Sequence, residues 1–451
     1  MFKNKIIASS LIGMMFVATM LGSNRADAKK SDCVVKGTTL VKYTGADKTY
    51  TVPENVKNIG KNAFKSAKNL KKVVISKNVK NIDKKAFDGA AKLTDITVAV
   101  KNKKYFSRDG ALYIKKSKKL RTVPAAKKTL RLAAKYTDKY TLTGIDNINE
   151  LYEGTTLVLY RENAKKYTVP SNINRIAADA FETKNLREVI INKNVKEIDG
   201  SAFKNAEGLL QIEVKAENKK YTAYDGALYS KDEKELIKVP NGKESINLSE
   251  KTELCTVDAF QNAKLASVNI TRNCFINFAS EGNPFNGCSS LKEITVHAEN
   301  PYYTSVDGVL YTKNMNAVLL YPSAKSAADK FEVPERVYEI GKYAFSGADI
   351  KQIVIPESLG KIGESAFYNS AVNNVIFKGK NKVLESSEIW TGFFPAYAGT
   401  LTFMDDTVVL PAYQALNGWL GGKNDYTICS RANSTAHKYA SENNLRWQEM
   451  K

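Results

Sequence analysis

Apolar residues recur along the chain in a fixed order that returns after little more than twenty positions. Residues 52–75 read VPENVKNIGKNAFKSAKNLKKVVI, and residues 75–98 read ISKNVKNIDKKAFDGAAKLTDITV. In both segments an Ile is followed by an Ala-Phe pair, a Leu and then a strand motif, V-x-I in the first and I-x-V in the second, and Phe64 lies 23 residues before Phe87. The V-x-I predicts a short strand with two inward side chains, and the polar stretch before it predicts a compact turn.

The same frame returns around six later phenylalanines: Phe181, Phe203, Phe260, Phe285, Phe345 and Phe367. A period of roughly 20–29 residues with one strand and one turn is typical of leucine-rich repeats. One repeat cannot bury its Val, Ile, Phe and Leu alone, but stacked repeats share a continuous core. The sequence therefore predicts a leucine-rich-repeat right-handed solenoid in one continuous array, mainly β with short helical turns.

A second element follows each pair of repeats and contains Tyr, Asp-Gly, Leu and Tyr in that order. Three stretches have this pattern: 103–120, 219–236 and 301–318. Asp-Gly followed by alternating apolar residues is a strong hairpin signal, so we expect interleaved β-hairpin spacers near 101–124, 217–240 and 299–322. A calcium loop would need several further acidic positions, so Asp109, Asp225 and Asp307 are interpreted as turn residues.

These motifs resemble those of a known family. The string IPESLGKIGESAFYNSAVNNVIF (355–377), together with the D-G-x-L-Y spacers, is similar to the BspA-like leucine-rich repeat family of secreted and cell-surface proteins. The resemblance covers about residues 50–377 and implies an extracellular bacterial protein that binds other molecules, often as an adhesin. It implies no single ligand and carries over no catalytic motif. The segments around Cys255 and from Cys274 to Phe285 depart from the pattern, and residues 121–168 lack a clean repeat.

The first 28 residues have the pattern of an export signal. Lys3 and Lys5 precede an apolar run over 6–21, and Ala26-Asp27-Ala28 has the small–x–small pattern of a cleavage site. An uncleaved membrane anchor is the alternative, but the cleavage pattern follows the apolar run closely. No later apolar run approaches the roughly 20 residues of a membrane helix. We therefore expect a signal peptide at 1–28 and a secreted, extracellular chain.

Three further regions follow in this interpretation: an N-terminal cap at 29–50, the repeats with their spacers at 51–377, and a C-terminal capping region at 378–451. The last region gathers six large aromatic residues: Trp390, Phe393, Phe394, Tyr397, Phe403 and Trp419. We expect them to seal the open end of the solenoid, with an exposed sugar-binding platform as the alternative. Ser434 and the residues after it predict a capped terminal helix.

Positive charge is concentrated near the N-terminus. The whole chain has a formal charge of +21, yet residues 29–128 alone hold 27 Lys or Arg against seven Asp or Glu. Lys57 and Lys80 share one repeat column, and Lys61 and Lys84 share another. Such a surface attracts anionic polymers. We therefore predict a polyanion site formed by Lys57, Lys61, Lys72, Lys80, Lys84 and Lys85, with a purely solubilising surface as the alternative.

Outward positions of the predicted strands form a second candidate surface. Alternation along each V-x-I strand places these side chains on the concave sheet: Asp95, Glu188, Glu213, Asn269, Glu293 and Gln352. Their mixed character suits protein or glycan contacts better than a polyanion. A merely solvated sheet is the alternative.

Candidate chemistry is sparse. The chain contains two histidines, His297 and His437, and five cysteines. Cys255 and Cys288 fall in repeat columns otherwise filled by Ile and Ala, so we expect them to be buried, and a bridge among Cys255, Cys274 and Cys288 remains open. The sequence predicts no catalytic, metal-binding or cofactor-binding residue.

Together these features predict a non-catalytic binding protein, an adhesin or host-interaction factor that is secreted or held at the cell surface by charge. The expected partners are a host matrix protein or glycan, or an anionic wall polymer such as the producer's own; a sulfated mucin glycan or a glycosaminoglycan also fits. Nucleic acid is not favoured, because no nucleic-acid motif is present. A wall-associated structural scaffold without a host ligand is the alternative function.

Overall fold

A computed structural model describes residues 32–117, 119–132, 145–278, 283–325, 329–380, 399–410 and 426–450. Contacts divide the chain into two compact units, Met1–Ile148 and Asn149–Lys451, called unit 1 and unit 2 below. The predicted signal peptide lies outside the described residues, as do five of the six aromatic residues of the predicted C-terminal seal; Phe403 is described.

Unit 1 is built from short β-strands: β1 Cys33–Lys36, β2 Thr39–Tyr43, β3 Thr49–Thr51, β4 Asn58–Ile59, β5 Lys72–Ile75, β6 Asn81–Ile82, β7 Asp95–Val98, β8 Tyr105–Arg108, β9 Ala111–Ile114, β10 Leu120–Thr122 and β11 Thr129–Arg131. Three sheets combine most of them. Their strand orders are β1-β2-β4-β6, β3-β5-β7 and β8-β9-β10. Apart from the β1–β2 hairpin, the first two sheets are parallel, and the third is antiparallel.

Unit 2 repeats this plan: β12 Glu150–Glu153, β13 Thr156–Tyr160, β14 Lys166–Thr168, β15 Arg175–Ile176, β16 Glu188–Ile191, β17 Glu197–Ile198, β18 Gln211–Val214, β19 Tyr221–Tyr224, β20 Ala227–Ser230, β21 Glu235–Lys238, β22 Leu254–Cys255, β23 Ser267–Ile270 and β24 Phe275–Ile276. It continues with β25 Glu293–Val296, β26 Tyr303–Val306, β27 Val309–Thr312, β28 Ala317–Leu320, β29 Lys330–Glu332, β30 Glu339–Ile340, β31 Gln352–Ile355, β32 Lys361–Ile362 and β33 Asn374–Phe377. It ends with β34 Thr400–Phe403, β35 Thr427–Ser430, helix α1 Thr435–Glu442 and β36 Arg446–Glu449. A 3₁₀ turn spans Gly200–Phe203. Ser434 caps α1, since its side chain accepts a hydrogen bond from His437 N.

Each coil of the solenoid contributes one strand to each of two parallel sheets. One kind of sheet, called long below, contains the predicted V-x-I strands of three or four residues. The other kind, called short, begins with hairpin strands and continues with two-residue strands. In β5 the side chains of Val73 and Ile75 are buried while Lys72 is exposed, because successive strand residues face opposite sides. Val73 pairs with Ile96 and Ile59 pairs with Ile82, so equivalent residues of successive coils lie in register. The predicted leucine-rich-repeat solenoid is confirmed.

Phenyl rings stack along the core. Phe64 and Phe87 have ring centroids 5.2 Å apart at an interplanar angle of 2°. The other three predicted pairs stack with centroids at 4.7 to 5.1 Å: Phe181 with Phe203, Phe260 with Phe285, and Phe345 with Phe367. All eight rings are buried. Each repeat therefore contributes one ring to the stack, and the period in the sequence corresponds to one step along it.

The predicted hairpin spacers are present as β8–β9, β19–β20 and β26–β27. Asp109 and Gly110 have φ values of 49° and 72°, and the two later Asp-Gly pairs are alike, which is the geometry that two-residue hairpin turns require. Each hairpin also seals an exposed sheet edge. Ile96 N in the last strand of the first long sheet donates to Gly110 O at 2.8 Å. The hydroxyl of Tyr105 accepts from Ile82 N in the edge strand of the short sheet at 3.2 Å.

The same spacers initiate the next short sheet. Strand β21 pairs antiparallel with β20 and parallel with β22, and β28 likewise joins β27 to β30. A spacer in unit 2 therefore ends one group of coils and provides the first strand of the following group.

A duplication that the repeat analysis missed explains the start of unit 2. The segment Gly37–Tyr43 reads GTTLVKY, and GTTLVLY returns 117 residues later at Gly154–Tyr160. Both segments form the second strand of an antiparallel hairpin with a register shift near its start, and Gly37 and Gly154 have φ values of 58° and 56°. Residues 150–168 therefore correspond to 33–51 and begin a regular group of coils.

Buried asparagines hold the turns between the coils and the spacers. Asn102 is fully buried; its amide donates to Ser76 O and Val79 O at 2.9 and 3.0 Å, and its Oδ1 accepts from Lys104 N and Tyr105 N at 2.9 Å. Asn218 and Asn300 make the same four contacts before the second and third spacers. Each amide thus hydrogen-bonds to four backbone groups, so one side chain joins two carbonyls of the preceding coil to two N–H groups of the spacer.

Substitution of Asn102 by Ala is expected to lower the free energy of unfolding of unit 1 by about 2–4 kcal/mol, because two backbone carbonyls and two backbone N–H groups each lose a hydrogen bond. Denaturant unfolding monitored in the full chain measures this loss. The matched control is Asn78→Ala: Asn78 is exposed and its amide contacts Glu54, so its loss should stay within about 0.5 kcal/mol. Equal losses for the two variants would contradict the assigned role of Asn102.

Two equivalent glycines in the spacer turns allow the cost of backbone strain to be measured apart from the cost of steric overlap. Gly226 and Gly308 have φ values of 73° and 72°, so Ala is strained equally at both, by about 1 kcal/mol. A Cβ on Gly226 would approach no atom closer than 3.6 Å, whereas on Gly308 it would lie 2.8 Å from Glu293 Cβ. Gly308→Ala should therefore destabilise unit 2 by about 1–3 kcal/mol more than Gly226→Ala in denaturant unfolding. Matching losses would show that the overlap relaxes freely.

Candidate functional site

Four lysines of unit 1 flank the short sheet in two columns. Lys57 and Lys80 directly precede β4 and β6, and Lys80 N donates to Lys57 O at 2.7 Å. Lys61 and Lys84 each lie two residues after the Ile that ends the same strands. Because neighbouring parallel strands are about 4.8 Å apart, the two ammonium groups of each column project from adjacent coils. All four side chains are exposed, as is Lys85. We call Lys57, Lys61, Lys80, Lys84 and Lys85 the lysine ladder.

The lysine ladder has no carboxylate partner among the described residues. Unit 1 contains described ion pairs between Lys77 and Glu54 at 3.7 Å and between Lys127 and Asp109 at 3.4 Å, neither of which involves the ladder. Asp83, the acidic residue next to Lys84, accepts a hydrogen bond from the backbone N–H of Lys85 at 2.8 Å. The like charges of adjacent coils therefore face solvent without local neutralisation.

On some coils of unit 2 the same columns hold opposite charges. Lys342 and Glu364 occupy the positions of Lys61 and Lys84 and form an ion pair at 2.8 Å. Lys234 and Glu253 form an ion pair at 2.7 Å. Each lies two residues before the buried apolar residue of its strand, β21 or β22, as Lys57 does for β4. Within the short strands, Arg175 pairs with Glu197 and Lys361 with Glu339. The unpaired ladder is thus a property of unit 1 and does not follow from the repeat geometry.

One basic residue next to the ladder escaped the sequence analysis. Lys104, at the start of the first spacer, donates from Nζ to Asn81 Oδ1 at 2.9 Å, and Asn81 donates to Asn58 Oδ1 at 2.9 Å. Lys104 thereby extends the charged surface by one coil. The Lys103-Lys104 pair before the spacer tyrosine was the available signal.

Lys72 lies apart from the rest of the predicted polyanion site. It begins β5 in the long sheet, whereas the ladder flanks the short sheet. Its neighbours there are Thr49 and Asp95, which pair with it in register. The structure thus brings five of the six predicted lysines together and assigns the sixth to the other sheet.

The six residues predicted for the concave sheet occupy outward positions of the long strands, as alternation requires. Four of them contact polar neighbours: Glu188 with Lys166 at 2.6 Å, Glu213 with Gln211 at 2.9 Å, Asn269 with Thr295 at 3.1 Å, and Gln352 with Asn374 at 3.1 Å. Asp95 and Glu293 lie against the spacer turns at Gly110 and Gly308. Four of the six predicted residues therefore have a polar partner within the protein.

Glu293 also borders a groove of about 570 Å³ in unit 2. Lys292, Asp307 and Lys325 line it, together with Ser267. The ammonium group of Lys325 donates to the backbone oxygen of Asp307. The groove combines two cations with two carboxylates, so it has no dominant charge.

The histidines and the described metal-ligating side chains do not converge on a reactive site. His297 Nδ1 accepts from Glu299 N at 3.2 Å, and His437 Nδ1 accepts from Asn433 N at 2.9 Å while its ring stacks on Trp447. The described residues bring no three His, Cys, Asp or Glu side chains together in a group that could hold a metal ion. The helices in the described part of the chain are all too short or too polar to cross a membrane.

Unit 2 contains a deeply buried amine, Lys238, and a deeply buried thiol, Cys288. Lys238 donates to Gln261 O at 2.6 Å and to Asp258 O at 3.3 Å, and burial lowers its pKa from 10.5 to about 8. Cys288 donates to Phe260 O at 3.0 Å, and burial raises its pKa to about 12. A thiol with so high a pKa is not a nucleophile at neutral pH.

Because burial lowers the pKa of Lys238, this residue makes the free energy of unfolding depend on pH in a definite direction. Between pH 8 and 10.5 the unfolded chain binds a proton at this lysine that the folded chain does not, so rising pH favours the folded state. The free energy of unfolding of the wild type relative to Lys238→Met should therefore rise by up to about 3 kcal/mol across this window and stay level below it. Tyrosine titration occurs in both proteins and cancels. Lys264→Met, at an exposed lysine, is the control, and a flat difference for Lys238→Met would contradict the assigned burial.

Comparisons with known proteins place this architecture in a family. Comparison of the sequence with curated proteins found no match. Solved structures that align with the chain include a leucine rich cell surface protein from Faecalibacterium prausnitzii A2-165, at 16% identity over 90% of this chain and 97% of that chain with a TM-score of 0.31. They also include the pneumococcal vaccine antigen PcpA, at 14% identity over 94% and 98% of the two chains with a TM-score of 0.33.

A sequence profile described as "BspA type Leucine rich repeat region" matches in six copies, over residues 42–122, 149–292, 240–316 and 323–389. These matches cover both the coils and the spacers, and they extend through unit 1 and unit 2. Since well over half of the chain is matched, the protein belongs to the BspA-type leucine-rich repeat family.

Proposed function

We propose that the protein is a non-catalytic, secreted or surface-associated binding protein whose lysine ladder binds a polyanion. One observation carries the proposal: two columns that hold ion pairs on some coils of unit 2 hold lysine on both the β4 and the β6 coil of unit 1, and these lysines have no described carboxylate partner. Lysines stacked on adjacent coils repel one another, so an external anion relieves a repulsion that the fold leaves in place.

A polymer suits this surface better than a small anion. The ladder spans two successive coils, and Lys104 continues it on the spacer. A chain of sulfate or phosphate groups can neutralise several of these ammonium groups at once and release the counterions condensed on it, which gives affinity at low salt. The lysines are exposed and flexible, so the interaction selects for charge density more than for a particular sugar.

Single-stranded nucleic acid fits less well. Such strands are bound by stacking bases on exposed aromatic side chains. In unit 1 the spacer rings of Tyr105 and Tyr113 are buried, and the exposed large apolar residues among those described are Val34, Val41 and Val100. A sulfated or phosphate-rich polymer is therefore the favoured class of partner.

Family membership and the predicted export signal support an extracellular location for this interaction. There the polyanion is either a host glycosaminoglycan or mucin glycan, which makes the protein an adhesin or host-interaction factor, or the producer's own wall polymer. In the second case the protein is a wall-associated scaffold. The polar contacts that engage the outward groups of the long sheet argue for the ladder, rather than that sheet, as the first contact.

The test is binding of the full chain to immobilised heparin and to a poly(glycerol phosphate) wall polymer across a salt series. For the variant with Lys57, Lys61, Lys80 and Lys84 changed to Gln, we expect affinity near 0.1 M salt to fall by about 30- to 1000-fold. The slope of log affinity against log salt should become shallower by about 3, since each lost contact removes about 0.7–0.9.

A charge-matched control distinguishes the ladder from net charge. Changing Lys234, Lys342, Lys361 and Lys378 to Gln removes the same number of charges from lysines that are ion-paired with glutamates. This variant should keep wild-type affinity within about threefold. Equal losses in the two variants would show that only overall charge matters, and unchanged binding in the ladder variant would refute the proposal. Preference for heparin or for the wall polymer separates the adhesin from the scaffold.

A further inference from the structure

Two cysteine side chains meet in the core of unit 2. The Sγ atoms of Cys255 and Cys274 are 3.1 Å apart, and both residues are fully buried. Cys255 ends β22 and Cys274 directly precedes β24, so the two sulfur atoms belong to adjacent coils of the same short sheet. The separation is below the contact distance of two unbonded sulfur atoms and about 1 Å above a disulfide bond length.

An irregular coil brings these residues together. Cys255 occupies the column of Ile59 and Ile82, as the sequence predicts. Cys274 occupies the column of Val79, because Cys274 N donates to Thr271 O as Val79 N donates to Ser76 O. In the regular coil Ile82 is three residues after Val79, but Ile276 is only two residues after Cys274. The coil is therefore one residue shorter at the point where the thiols touch.

The third cysteine of this region is engaged elsewhere. The Sγ of Cys288 donates to Phe260 O at 3.0 Å and lies in the column that other coils fill with Ala, on the turn side of the core. The remaining two cysteines, Cys33 and Cys429, are half-buried, and Cys33 belongs to unit 1. The geometry thus selects one pairing from the three that the sequence leaves open.

We propose that Cys255 and Cys274 form a disulfide bond when the chain folds in an oxidising environment. The two thiols lose two protons and two electrons as the sulfur–sulfur bond forms. The electrons and protons pass to a disulfide donor, either a small-molecule disulfide or a thiol–disulfide oxidoreductase, which is reduced to two thiols.

Burial determines when this bond forms and how long it lasts. Exchange requires a thiolate, and burial raises the pKa of Cys255 well above its usual range. The bond therefore forms before the two coils close, and afterwards the surrounding core shields it from reductants. It joins residues 19 positions apart, and it stabilises the native state mainly by restricting the unfolded chain.

The first experiment maps the bond in the full chain. The protein is unfolded, refolded in a buffer of oxidised and reduced glutathione, then denatured in excess N-ethylmaleimide so that buried free thiols also react, and digested. Trypsin leaves Cys274 and Cys288 on one peptide, because no Lys or Arg lies between them. A second protease that cleaves after Glu281 separates them. Mass spectrometry should find Cys255 linked to Cys274, with Cys33, Cys288 and Cys429 alkylated. Alkylated Cys255 and Cys274, or a link to Cys288, would overturn the proposal.

The second experiment measures the effect of the bond with variants that retain the core. Cys255→Ile with Cys274→Val restores the residues of the regular columns, so this double variant should fold without a bond. The wild type should unfold about 5 °C higher in the oxidised than in the reduced form, and the double variant should show no redox dependence. Cys288→Ala should keep the wild-type shift. A redox shift that survives in the double variant, or that disappears in Cys288→Ala, would contradict the assignment. Neither outcome depends on binding to a polyanion.

Discussion

The structure depends on the in-register burial of matching side chains from successive coils. A single coil presents one phenyl ring, a few aliphatic groups and unpaired strand edges, none of which it can shield from water. Stacking solves these problems together: Phe64 covers Phe87, Val73 lies beside Ile96, and each strand pairs with its equivalent one repeat later. The columns of equivalent side chains on the surface also follow from this alignment.

Because successive coils are in register, charged side chains at equivalent repeat positions line up in columns on the surface. In unit 2 several lysines pair with a glutamate on a neighbouring coil, as Lys342 pairs with Glu364, so those positions are locally neutral. In unit 1 the equivalent position is lysine on both coils. Exposed ion pairs contribute little to stability, so exchanging them for repulsive pairs costs the fold little and leaves a charged strip for another molecule. A surface of this kind can change its charge without changing the core.

The sequence predicts the apolar columns and the lysine columns because both obey the period directly. Phe260 and Phe345 can be placed from spacing alone, and so can the Asp-Gly turns. Asn102 could not be placed, because a polar residue among lysines reads as surface until its four backbone partners are known. Glu188 and Gln352 appear available in the sequence, yet neighbouring strands supply Lys166 and Asn374 to engage them. The contact of Cys255 with Cys274 arises from a coil that departs from the period by one residue, and a column argument cannot follow such a departure.

The duplicated opening of the two units has a consequence for how such genes change in length. GTTLVKY and GTTLVLY, 117 residues apart, encode the same hairpin strand and lead into equivalent coils. Unequal crossing-over between these stretches would delete or insert one whole block that begins and ends at an equivalent hairpin strand. Alleles of different size would then share one architecture and differ chiefly in how much basic surface they display.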